Sequence, residues 1–204
     1  MSWSICSLEF NRRRVPQWQS SSYTPLFFAD EAIALAAGHR PCAECRRSAY
    51  NDFRMKWAWT HPYRAPYATA IDAQLHAERL PDSSGRRALT DVPWAFLPAG
   101  AFVMLDSEQP AVVLGESLAP YDEHTGQYLP AVERPTSGYG RALTPPSTLA
   151  VLQRGYPVQI DPAATGQETT GSDAAGSDVT SVGSPESSMS RPGSPASGGG
   201  SGNQ

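Results

Sequence analysis

Several things are scarce in this sequence of 204 residues. Cysteine occurs three times, and Lys56 is the one lysine among 16 basic side chains. Hydrophobic residues make up 40%, below the roughly 45–50% usual in compact domains. No apolar run approaches the ~20 residues that cross a bilayer, so no membrane partner is expected. Met1 to Arg14 holds no apolar core and no small-residue cleavage site of a secretory signal. The expected location is therefore the cytoplasm. An odd count of cysteines argues against a disulfide framework and favours a metal site or a reactive thiol. The P-loop, the nucleophile elbow and the HExxH pattern are all absent.

Glycine and proline are plentiful, at 17 and 19, and nine of the glycines fall in the last stretch, residues 162–204. Residues 162–204 have no aromatic side chain and carry Arg191 against Glu168, Asp173, Asp178 and Glu186. Such a Ser/Gly/Pro-rich segment buries too little apolar surface to offset about 1–2 kcal/mol of ordering entropy per residue. A disordered tail is expected there. Residues 1–80 carry a net +3 and residues 81–161 a net −4. The chain then divides into an N-terminal module over 1–80, a small β-rich part over 81–161 and the tail over 162–204. The expected class is α+β.

Local patterns fill in this division. Trp3, Ile5, Leu8 and Phe10 predict a short strand, followed by a basic turn at Asn11-Arg12-Arg13-Arg14. Asp30 can cap a helix over Glu31–Ala37, Gly38 supplies the stop, and Pro41 prevents continuation. A longer helix is predicted from Cys42 to about Trp59, with Cys45, Ala49, Phe53 and Trp57 on one stripe. A third covers Ala68–Leu80, where Asp72, His76 and Arg79 share a face. Ala101–Leu105 and Ala111–Leu114 read as a β-hairpin, and 120–140 as turn-rich. Ser147–Arg154 forms a last helix stopped by Gly155, and Val158 and Ile160 suggest a closing strand.

Cys42-Ala43-Glu44-Cys45 is the strongest chemical signal. Two thiolates at this spacing reach one tetrahedral ion at about 2.3 Å, and the same spacing serves a redox dithiol. Cys6 is the natural third ligand. Among the four histidines, His76 is the leading fourth candidate, with Asp72 placed to orient its ring; His39 and His61 are weaker. Basic residues Arg12, Arg13, Arg14, Arg40, Arg46 and Arg47, followed by Arg54, Lys56 and Arg64, are interleaved with Trp18, Tyr23, Trp57, Trp59 and Tyr63. Charges of this kind contact phosphates, and exposed rings stack on unpaired bases.

The stretch from Phe27 to Cys45, Phe-Phe-Ala-Asp-Glu-Ala-Ile-Ala-Leu-Ala-Ala-Gly-His-Arg-Pro-Cys-Ala-Glu-Cys, resembles the metal-binding domain of Ada-type DNA alkylation-repair proteins. In that family a short Ala-rich helix ends in Gly-aromatic-Arg-Pro-Cys-x-x-Cys. The resemblance implies zinc-ligand roles for Cys42 and Cys45, DNA as partner and a link to repair. The family has a further CxxC upstream whose first cysteine accepts a methyl group; here Cys6 stands alone, and His39 takes the aromatic position. More widely, residues 1–160 are similar to bacterial proteins sharing motifs like Leu75-His76-Ala77-Glu78-Arg79-Leu80 and Thr144-Pro145-Pro146-Ser147. Such relatives carry residues ahead of Trp3-Ser4-Ile5-Cys6, so part of the N-terminal structure is expected to be missing. The reading is a zinc-stabilised nucleic-acid-binding protein. Its rivals are a metal-dependent enzyme acting on nucleic acid through His76 and Asp72, and a thiol-redox or protein-interaction module.

Overall fold

The computed structural model describes residues 3–11, 13–14, 26–80 and 87–166. Its elements run β1 (Ser4–Ile5), β2 (Glu9–Phe10), β3 (Arg13–Arg14), α1 (Glu31–Ala36), β4 (Arg40–Pro41), α2 (Arg47–Thr60) and α3 (Ala68–Arg79). Then follow β5 (Thr90–Pro93), β6 (Phe102–Met104), β7 (Pro110–Leu114), β8 (Ser117–Asp122), β9 (Gln127–Tyr128), β10 (Val132–Glu133), β11 (Tyr139–Ala142) and α4 (Pro146–Gln153). Short 3-10 turns occupy Trp94–Phe96 and Pro162–Thr165. The class is α+β. A seven-stranded antiparallel sheet in the order β10-β8-β7-β6-β11-β5, with β9 also on β8, packs against the helices.

The helix signals act as anticipated. Asp30 accepts a hydrogen bond from Ile33 N at 2.9 Å and so caps α1, while Gly38, at φ 81°, turns the chain out of it. The Cys42–Cys45 segment is a turn ahead of α2 rather than its first turn, because α2 begins at Arg47. Tyr50, Phe53 and Trp57 form its buried face. In α3 the buried positions are Ile71, Asp72 and Leu75.

Both faces of the sheet are covered, and period-two alternation sorts the side chains between them. Ala111 and Val113 join a cluster with Leu35, Phe53, Trp57, Ile71, Leu75, Leu149 and Tyr156. Val112, between them, joins Phe102, Ala119, Ala32, Ala36 and Ala164 on the other side. Helix α1 therefore touches both clusters, Leu35 on one side and Ala32 and Ala36 on the other. Its alanines allow this close approach. The buried cluster runs across residue 80, so helices and strands share one core.

The 101–114 hairpin forms as read, with Glu108 at φ 59° in its turn. The 120–140 stretch does not stay as turns: it carries the end of β8 together with β9, β10 and the first half of β11. Pro120 is tolerated inside β8 because its carbonyl accepts from Leu129 N at 2.8 Å. Its amide edge faces away from β7, so the missing N–H removes no bond of that ladder. Residues 156–161 form no closing strand. Gln159 N instead donates to Glu31 Oε2 at 3.1 Å and Asp161 N to Asp30 Oδ2 at 3.0 Å. Pro162–Gly166 belongs to the fold, since Ala164 is buried; the remainder of the expected tail, 167–204, lies outside the described residues. Among the described residues no helix is long and apolar enough to cross a membrane.

His39 is buried between Trp3 and Phe28, with ring centroids at 4.9 and 4.8 Å. Burial, reinforced by the Arg79 charge and opposed by the Ala34 carbonyl, lowers its pKa to about 4. The unfolded chain, titrating near 6.5, binds more protons between these values, so this contribution is complete above pH 6.5 and lost as pH falls toward 4. By pH 4 the loss reaches about 3 kcal/mol. The expected result is that His39→Phe, measured by urea midpoints against the parent from pH 7 to 4.5, falls less steeply with acid. Parallel curves would exclude His39 as a source of acid sensitivity.

Candidate metal centre

The centre forms where two short strands meet. β1 pairs with β4 in parallel, Ser4 opposite Arg40 and Ile5 opposite Pro41. Arg40 N donates to Trp3 O at 3.2 Å and Cys42 N to Ile5 O at 3.0 Å. This pairing sets Cys6, one residue past β1, beside Cys42, one residue past β4. The turn that follows, held by Arg46 N on Cys42 O at 3.2 Å, swings Cys45 back toward both. The Sγ atoms of Cys6, Cys42 and Cys45 all lie within 4.8 Å of one another. Three sulfurs on one tetrahedral ion, each bonded at about 2.3 Å, stand about 3.8 Å apart. With none of the separations above 4.8 Å, all three sulfurs are within reach of one such ion.

Backbone amides reach two of the sulfurs. Ser7 N donates to Cys45 Sγ at 3.3 Å, and Glu44 N donates to Cys42 Sγ at 3.4 Å. The Ser7 hydroxyl donates to Cys45 O at 3.4 Å, fixing the β1 end against the turn. Burial raises the Cys42 thiol pKa, but the amide donors of Cys45 and Glu44 outweigh it, and the net shift is downward. Cys6 is pushed up to about 12, first by burial and then by the neighbouring Cys42 and Cys45, against a Ser4 contact that lowers it. Like charges at this spacing oppose one another, and a bound cation would let all three sulfurs ionise together. Clustered sulfur donors suit soft or borderline ions rather than magnesium or calcium.

Buried ion pairs brace the cysteine turn on either side. Arg40, before Pro41, forks onto Asp72 of α3, with Nε on Oδ1 at 2.7 Å and Nη2 on Oδ2 at 2.8 Å. Arg46, directly after Cys45, meets Glu31 of α1 at 2.8 Å. Glu31 also accepts from the Tyr156 hydroxyl at 2.8 Å, a phenol whose pKa burial and that carboxylate raise. Neither Glu31 nor the two serines carries a sequence signal for this role, since each acts on a partner far along the chain.

Of the expected ligands, the structure brings Cys6, Cys42 and Cys45 together and leaves His76 out. The Arg79 guanidinium donates to His76 Nδ1 at 3.1 Å, and among the described residues His76 does not join the sulfur group. Asp72 does not orient it either, because both its oxygens hold Arg40. His61 stacks on Trp57 at 4.2 Å, and His39 is enclosed by aromatics. Among the expected phosphate contacts, Arg40 is buried and Arg46 nearly so, both held by carboxylates. Arg47 is exposed. Arg13 and Arg14 form the strand paired with β2, and Arg12 lies outside the described residues.

Comparison with protein-family models, with curated proteins and with solved structures finds no match to this chain.

Proposed function

We propose that this is a zinc protein that binds nucleic acid, with Cys6, Cys42 and Cys45 holding the ion. The observation that carries the reading is the convergence of three sulfurs, from segments 36 residues apart, within 4.8 Å of one another, two of them accepting backbone amides. Zinc is the metal of choice for such donors in a site that ties strands together. The ion would fix β1 and the Cys42 turn, where paired strands of two residues each supply little core. DNA as the partner, and a repair-related role, follow the Ada-type resemblance. Charge supports the same partner: residues 46–67 hold five Arg or Lys against Asp52 alone, a net +4 in a chain of −4 overall.

Elemental analysis of the purified full chain tests the metal, with one zinc per protein expected. Binding to a labelled oligonucleotide across a salt series tests the partner. Affinity should fall by roughly one decade or more between 50 and 200 mM salt if a few phosphates are neutralised. Copurification without zinc, together with a disulfide among Cys6, Cys42 and Cys45 in air, would favour thiol-redox chemistry instead. The closeness of the three thiols, with their Sγ atoms all within 4.8 Å of one another, is the observation that speaks for that second reading.

A further inference from the structure

Helix α2 buries Tyr50, Phe53 and Trp57 and turns the opposite face to water. On that face Arg47, Asn51, Arg54, Met55 and Trp59 succeed one another at helical spacing, all exposed. From Arg47 to Trp59 the helix rises about 18 Å. The loop that leaves it continues the series with Tyr63 and Arg64, and Tyr67 follows at the start of α3. Trp59 is 59% exposed, Tyr67 68% and Tyr63 99%. Large aromatic side chains left this open in succession serve no core. The cations beside them are unevenly engaged. Arg46 is held by Glu31 and Lys56 by Asp52, whereas among the described residues Arg64 meets the neutral Gln74 at 2.6 Å.

We infer that this face, running along α2 to the Tyr63 loop, is a binding track for single-stranded nucleic acid. Bases would stack on Trp59, Tyr63 and Tyr67, and phosphates would lie against Arg47, Arg54 and Arg64. The inference rests on the nucleic-acid reading above and moves the contact away from the cysteine edge, where Arg40 and Arg46 are already paired. Charge selects a polyanion, since the face presents Arg47, Arg54 and Arg64 within an acidic protein. The rings select unpaired bases. A duplex keeps its base faces inside the stack and offers such rings nothing to meet, whereas every unpaired base presents one.

The test uses the full-length, metal-replete protein, a fluorescein-labelled 15-nucleotide oligo(dT) and a 15-base-pair duplex, read by anisotropy. The single strand should bind more tightly than the duplex. Trp59→Ala and Tyr63→Ala should each weaken single-strand binding about tenfold, in line with one lost stacking contact. Tyr63→Phe should keep parental affinity. Arg47→Ala combined with Arg54→Ala should flatten the slope of log affinity against log salt by about 1.4. All these side chains are exposed, so unchanged melting curves and zinc content are expected and verify the fold. Oligonucleotide binding that ignores all these substitutions, or that prefers the duplex, would overturn this track while leaving nucleic-acid binding intact. Absence of binding to either probe would overturn both.

Discussion

Cys42→Ser should strip the protein of its metal and much of its stability. A structural zinc in a small module contributes about 10–16 kcal/mol of binding free energy that is also folding free energy. Removing one thiolate leaves two sulfurs and a hydroxyl, which is a poor donor to zinc at neutral pH. Chelator competition should show zinc affinity down by at least a hundredfold, and thermal melts should show a lower midpoint that added zinc no longer raises. Cys6→Ser separates two pictures of the site. If Cys6 is a ligand, its loss imitates Cys42→Ser and frees β1 from β4, which proteolysis within the first ten residues would reveal. Retention of one zinc at parental affinity in Cys6→Ser would remove Cys6 from the site and reduce it to the Cys42–Cys45 pair.

The sequence is informative wherever a feature depends on near neighbours. Asp30 caps α1 by accepting from Ile33 N three residues on, Gly38 ends it, and Pro41 forces the chain out toward Cys42. All three act within a dozen residues. The 101–114 hairpin is visible because its two apolar runs flank a polar turn. The members of the cysteine cluster are visible, since Cys6 is the one thiol left to join Cys42 and Cys45, but its geometry is not. The spacing of Cys42 and Cys45 announces the pair, while the partnership with Cys6 depends on a parallel pairing of two-residue strands that no periodicity reveals.

What the sequence conceals is the use of charge inside the fold. Asp30 and Glu31 read as ordinary residues at a helix start, yet they are the acceptors that anchor residues 156–161 from more than 120 positions away. The expected strand there fails because the amides of Gln159 and Asp161 donate to carboxylates, not to another strand. Asp72 and His76 share a face as their spacing implies, but each takes a different arginine. Helical spacing says which side chains are neighbours and not which of several candidates they will bind. The β8–β11 region is obscured by its prolines and glycines, which suggest turns until the direction of each amide edge is known.

The largest purely structural effect should come from Asp72. Its carboxylate holds the buried Arg40 guanidinium through two hydrogen bonds, and Arg40 Nη1 donates in turn to Pro41 O at 3.1 Å. Asp72→Ala leaves a buried cation without its carboxylate, a change that destabilises by about 3–5 kcal/mol. Replacing both partners, as in Arg40→Met with Asp72→Leu, removes the charge together with its counter-charge and should recover much of that loss. Because Arg40 lies two residues before Cys42, the single variant should also weaken zinc retention, while the stoichiometry at saturating zinc stays at one per chain. Denaturant midpoints for the two singles and the double give the coupling energy directly. The same variants judge the rival enzymatic reading. A catalytic or ligating Asp72 requires the double variant, refolded to near-parental stability, to lose metal-dependent turnover or the metal itself. A bracing Asp72 requires that metal and nucleic-acid binding return with the fold.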